Sequence, residues 1–316
     1  MFTAEAAETG LCCSFALALA LDNTLQMTDE FRWYLLEKKK LEGLVLSAIS
    51  IFRDHRIEPI LIKGWAATRN YPEGKPRFCV DIDLAVSSTD FHQAQRLIRE
   101  PGSGVKGVDL HKELRHLDTL DWKTLFSNSE LVETEAGNIR VLAAEDHLRV
   151  LCSHWLTNGG ESRDRLWDIV YAVENRPADF DWAKCLDVVS ANRRSWILST
   201  IGLAHKYLGL NIEDLPFAAE VKDLPLWLTR CVESGWSSDT KLRGLDESIT
   251  KPSLFLRQIG KRLPPNPIQA TINCEGRFDH GSRIRYQLRD ILGRSGPSVR
   301  RLLKAVRGEY RWRRSQ

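Results

Sequence analysis

Residues 60–86 read ILIKGWAATRNYPEGKPRFCVDIDLAV, and the fold turns on how they divide. The apolar run Ile60-Leu61-Ile62 predicts a buried strand, and Lys63-Gly64 a turn. A short helix, a Pro/Gly-rich loop and a second strand follow. Side chains in a strand alternate between faces, so Asp81 and Asp83 share one face while Val80, Ile82 and Leu84 share the other. Aspartate is depleted from strands, and two like charges at i and i+2 on one face repel. Two readings stand. The acids belong to a wetted strand edge, or they hold a divalent cation against a phosphate that meets a glycine turn at a helix start.

The elements on either side suit a small sheet with helices. Residues 28–55 place Phe31, Trp33, Tyr34, Leu41, Leu44, Val45 and Ile49 at helical spacing, and Glu58-Pro59 ends that helix. Ser88 or Thr89 is expected to cap a helix that runs to Ile98. Residues 107–114 alternate, with Val108, Leu110 and Leu114 on one pattern and Asp109, His111 and Glu113 on the other, which predicts a third strand. Segments 130–134 and 138–142 are expected to pair as a hairpin around Ala136-Gly137. From Ala144 onward the pattern is helical, with Pro breaks and no strand signal. The expected class is α+β: a small mixed sheet flanked by helices over 1–143, then an all-helical domain over 144–316 that ends in a basic tail.

Composition sets the outer limits. With 43% apolar and 28% charged residues, the chain can bury a sizeable core. The seven cysteines are odd in number and contain no CxxC pair, so reduced thiols and a cytoplasmic location are expected, without a disulfide framework or zinc site. The apolar run 11–21 is too short to span a bilayer and follows a segment with acids and no Lys or Arg, so it reads as a core helix rather than a signal peptide. Charge is uneven: residues 283–316 hold 11 Lys/Arg against 2 Asp/Glu, and the remainder 34 against 40. That tail, with Leu302, Leu303, Val306, Tyr310 and Trp312 among its arginines, reads either as an amphipathic helix docked on the body or as a surface for RNA or another anionic partner.

If the third strand lies beside the second, Asp109 joins Asp81 and Asp83 on one sheet face. Three acids around one or two Mg²⁺ ions suit phosphoryl or nucleotidyl transfer, where the metal neutralises a triphosphate and activates a hydroxyl. Gly64 permits close backbone approach to phosphate, and Arg77 stands four residues before Asp81, either to meet a phosphate oxygen or as a surface arginine. Three close acids also repel, so Asp83→Asn is expected to leave the metal-free protein as stable as before, or slightly more so.

The order of strand, Leu61-Ile62-Lys63-Gly64, helix, Tyr71-Pro72, Arg77 and Asp81-Ile82-Asp83-Leu84 resembles the polymerase-β-like nucleotidyltransferase superfamily. More closely, it resembles a bacterial family known only as uncharacterised nucleotidyltransferases. Val108-Asp109-Leu110-His111 is similar to that family's later strand, and Glu145-Asp146-His147-Leu148 and Leu166-Trp167-Asp168 to its helical half. Many members of the superfamily carry Gly-Ser at the turn, where the serine helps hold phosphate. Here the turn is Lys63-Gly64-Trp65.

The resemblance implies transfer of a nucleoside monophosphate from an NTP, ATP foremost, to an acceptor hydroxyl, with Mg²⁺ or Mn²⁺ as cofactor. Asp81, Asp83 and Asp109 would be the catalytic metal ligands, Lys63, Gly64 and Arg77 would bind nucleotide phosphate, and His111 would support them. A protein or peptide, a small metabolite and an RNA end are all open as acceptor. Kinase-type transfer at the same site is the near alternative, and a non-catalytic binding protein that uses the basic tail the distant one. Asp168 reads as a helix anchor or a site residue, and Tyr71 as packing or a base-stacking group. Arg163 and Arg165 either reach a triphosphate or line a solvated loop, and His147 and His154 read as packing.

Overall fold

Ile60, Leu61 and Ile62 are almost wholly shielded from solvent, and the first two form strand β1 (Ile60–Leu61). Burying one such side chain is worth about 2 kcal/mol, against about 1 kcal/mol net for a hydrogen bond. Side-chain burial therefore holds this two-residue strand at the centre of the sheet. The computed structural model describes residues 29–79, 81–100, 102–105, 107–238, 253, 260 and 262–293. The expected helix over 11–21, Val80, much of the Pro-interrupted stretch 251–267 and the basic residues from 300 to 314 lie outside them.

The other strands are β2 (Ile82–Val86), β3 (Val108–Lys112), β4 (Glu130–Thr134) and β5 (Gly137–Val141). Their order is β3-β2-β1-β5-β4. β1 runs antiparallel to β2 and parallel to β5, β2 runs parallel to β3, and β4 and β5 form the expected hairpin. The sheet is therefore mixed. Helix α1 (Asp29–Asp54) packs Val45, Ile49 and Phe52 against Leu61, Ile82 and Leu84 on one face. On the other face Ile60, Ile62 and Ala85 pack with Leu125 and Val150.

The chain leaves β1 through Lys63-Gly64 into the single turn α2 (Trp65–Thr68). After β2 comes α3 (Phe91–Arg99), whose start corrects the expected cap. Ser87, rather than Ser88 or Thr89, does the work: its Oγ accepts from the Asp90 N–H at 3.1 Å and bonds the Asp90 carboxylate. β3 stops at Lys112, two residues short of the alternating pattern. Glu113 and Arg115 take φ values of 52° and 53°, and the turn they make sends Leu114 inward. A helix absent from the sequence reading, α4 (Trp122–Asn128), begins where Asp121 accepts the Thr124 N–H.

Among the described residues the regular elements after β5 are all helices and include α5 (Ala144–Thr157), α6 (Leu166–Glu174), α7 (Trp182–Leu186), α8 (Ala191–Leu208), α9 (Ala218–Lys222), α10 (Leu226–Trp236) and α11 (Pro267–Asn273). Their shared core includes Leu148, Trp155, Val170, Trp196, Ile201 and Val232. α5 serves two masters. Leu148, Leu151 and Leu156 enter that helical core, while Val150 reaches the sheet face beneath Ile60 and Ala85. The protein is thus an α+β fold with a helical C-terminal region, and no described helix is long and apolar enough to cross a membrane.

Candidate active site

Asp83 and Asp109 are register partners on the parallel pair β2 and β3. Partners at one register position of neighbouring strands point to the same face, so the two carboxylates stand side by side. His111, two residues along β3, shares that face. Its Nε2 is 3.2 Å from Asp83 Oδ1 and 3.2 Å from Asp109 Oδ2. One ligand atom from each of the three residues falls within 4.8 Å of the others, a spacing that one cation can bridge. The donor set of two carboxylate oxygens and an imidazole suits a hard divalent ion that tolerates nitrogen. His111 is buried and its Nδ1 has no hydrogen-bond partner among the described residues.

Asp81 stands apart from this group. It lies one residue ahead of β2 and is exposed, and among the described residues the cation-competent cluster forms without it. Asp109 is the open member, with its side chain 57% exposed, whereas Asp83 is buried. The cluster therefore has a dry inner wall and a wet mouth.

Lys63 fills that inner wall. Its Nζ is 2.8 Å from Asp83 Oδ1, and both side chains are about nine-tenths buried. Burial alone would push the Asp83 carboxyl up. Hydrogen bonds from His111 and Lys63 more than offset this and hold it at about 2. The carboxylate is ionised throughout the physiological range and already carries a cation. Gly64 follows with φ 63° and ψ −113°, a left-handed conformation that favours glycine. A Cβ there would come within 3.0 Å of the Asp81 carbonyl oxygen. The glycine therefore has a structural reason to be where it is, in addition to any approach of phosphate.

Arg77, expected to meet phosphate, is committed inside the protein. It is buried, and its Nε and Nη2 donate to the two carboxylate oxygens of Asp168 on α6 at 2.6 and 2.7 Å. Its Nη1 donates to the Gly64 carbonyl at 2.8 Å, and Tyr71 Oη donates to Asp168 Oδ1 at 2.7 Å. One arginine thus ties the Lys63-Gly64 turn to the helical half, in the two-pronged geometry that a guanidinium and a carboxylate favour. Asp168 is the anchor of that tie, which resolves the two readings its sequence left open.

Sequence reasoning missed other groups around the site. His154 was read as packing, but it lies one turn beyond Val150 on α5 and so on the same side of the helix. Burial pushes its imidazole down to about 4, with Lys63 acting in the same direction and Asp83 against it. The i, i+4 spacing from an apolar, sheet-facing position was the signal available. Arg149 was not singled out at all. It is fully buried and donates to Asp118 at 2.7 Å, to Asp146, and to the Lys184 carbonyl. Arg193 reaches from α8 to the carbonyls of His116 and Leu117. These two arginines fasten the loop that follows β3, and hence the strand carrying Asp109, to the helices. Arg163 and Arg165 are exposed.

The profile of a family described as "Uncharacterised nucleotidyltransferase" matches residues 19–209, more than half of the chain. That span takes in the whole sheet, the Asp83, Asp109 and His111 cluster, and the helices that fasten it. No curated protein and no solved structure matches the chain.

Proposed function

The chain belongs to this family and is a nucleotidyltransferase; from that premise we propose a metal-dependent enzyme that moves a nucleoside monophosphate from an NTP, ATP foremost, to an acceptor hydroxyl. The observation that carries this reading is the register pairing of Asp83 with Asp109 beside His111. Asp83 and Asp109 would hold Mg²⁺ or Mn²⁺, with His111 as neighbour and nitrogen donor. Asp81 is kept as a further carboxylate, two residues before Asp83 and outside the cluster. When bound, the ion neutralises phosphate charge and lowers the pKa of an attacking hydroxyl.

The chain's own residues do the rest. Asp109, exposed at the mouth, faces an incoming acceptor and can take its proton. Lys63 sits where it can leave Asp83 for a phosphate once a divalent cation takes over that carboxylate. Gly64 keeps the turn close to the base of β2, and Arg77 positions that turn against Asp168. His154 and Val150 cover the sheet face from the helical side. Reaction would take place between a sheet half, residues 1–143, and a helical half, residues 144–316. The free thiols of Cys79, Cys152, Cys185 and Cys231 fit a cytoplasmic enzyme. A protein or peptide, a metabolite and an RNA end remain the acceptor classes.

The test is transfer of label. The purified chain is incubated with ATP labelled at the α-phosphate, Mg²⁺ or Mn²⁺, and pools of candidate acceptors. Mass spectrometry of the labelled product should show an added nucleoside monophosphate, and Asp109→Asn should remove the label. An acceptor labelled only from γ-labelled ATP would replace nucleotidyl transfer with phosphoryl transfer.

A further inference from the structure

A cavity of about 600 Å³ opens between the loop after α2 and the start of α6, within the size range of small-molecule sites. Its walls carry aromatic faces and cations together. Trp167 and Tyr171 are stacked, with ring centroids 5.3 Å apart and planes 21° from parallel. Phe78 also lines the cavity and is half exposed. Lys75 and Arg165 line the cavity and are exposed, and neither has an ion-pair partner among the described residues. Asp164 is the one acid of the lining.

The back wall is Arg77, which also donates to the Gly64 carbonyl. The cavity is thus one arginine side chain away from the Lys63-Gly64 turn. We infer that it holds the nucleoside end of the donor nucleotide, with the base stacked among Trp167, Tyr171 and Phe78 and with Lys75 and Arg165 at the ribose–phosphate edge. This rests on the reading of the Gly64 turn as the phosphate side of the site. Aromatic faces bind any base through its ring, so the larger purines gain most from this wall. The donor class is a purine nucleoside triphosphate chosen by stacking area.

The test is calorimetric titration of the full chain, in Mg²⁺ and without acceptor, with ATP, CTP and tripolyphosphate. Wild type should bind ATP more tightly than CTP. Trp167→Ala should weaken ATP about tenfold, as expected for loss of one stacking partner, and leave tripolyphosphate within twofold. Arg165→Ala, at an exposed position where folding is not at stake, should weaken ATP severalfold. The inference is overturned if both variants bind ATP like wild type, or if Trp167→Ala weakens ATP and tripolyphosphate alike. Wild type that binds tripolyphosphate as tightly as ATP overturns the base site and leaves the phosphate turn standing. Wild type that binds neither overturns both.

Discussion

Lys63 Nζ lies 2.8 Å from Asp83 Oδ1 at the closed end of the carboxylate cluster. This reverses an argument from charge alone. Close acids repel, which favours neutralising Asp83; yet in the folded protein that carboxylate is the partner of a buried ammonium and of His111. Asp83→Asn therefore strands Lys63. Removing one member of a buried pair costs about 3 kcal/mol, because the other is left uncompensated.

Lys63→Met should destabilise the metal-free protein by about that amount, and the double variant Lys63→Met, Asp83→Asn should recover part of the loss. Without the competing ammonium, Mg²⁺ or Mn²⁺ should raise the melting temperature of Lys63→Met more than that of wild type. Thermal melts in EDTA and in each metal test this. Equal metal shifts in both proteins would mean that Lys63 and the ion do not share Asp83.

Asp109 separates chemistry from stability more cleanly than Asp83 does. Its side chain is 57% exposed, and among the described residues its one ion-pair partner is His111. Asp109→Asn should melt within a degree or two of wild type in EDTA while losing at least a hundredfold in transfer rate. A variant with near-normal turnover would remove Asp109 from the cluster's chemistry.

Alternation made much of this site legible. Period 2 over 82–86 and again over 108–112 predicts both strands and the shared face of Asp109 and His111, because successive side chains of a strand point to opposite faces. What sequence does not carry is pairing over distance. Lys63 finds Asp83 across the β1–β2 junction, and Arg77 finds Asp168 91 residues away. The Lys63 partner exists only once β1 and β2 have paired, and the Arg77 partner only once the helical half has docked, so phosphate was the natural expectation for both. Asp81 went the other way: the alternation that groups it with Asp83 is cut short because β2 begins one residue later. α4 escaped notice because its Asp121 cap precedes only seven helical residues, too few for a periodic signal.

The tie between Arg77 and Asp168 should be rigid and specific to a guanidinium. Arg77→Lys keeps the charge but can form neither the two-pronged contact with Asp168 nor, at the same time, the bond to the Gly64 carbonyl. It should cost about 2–3 kcal/mol in urea unfolding. With Asp168→Asn, a double-mutant cycle should show strong coupling between the two sites. Additive losses would mean that each side chain is stabilised by other neighbours.

Acid should weaken the fold well above the range where Asp83 titrates. Buried His147 on α5 has no partner for its Nε2 among the described residues. Burial pushes its imidazole down to about 4, with Arg69 and Arg77 acting in the same direction and Asp168 against it. In the unfolded chain the ring titrates near 6.5, so below that pH the unfolded state binds the proton first. Stability is complete above about pH 6.5 and falls as pH drops toward 4, by about 2 kcal/mol at pH 5 for this one group. His154, held at about 4 as well, adds a loss of the same sign. Asp83, held at about 2, loses its contribution only in the separate window between about pH 4 and 2. Urea unfolding at pH 7.5 and 5.0 should show His147→Leu recovering about 2 kcal/mol of the wild-type loss. The same loss in both proteins would mean that the His147 ring takes up its proton in the folded state.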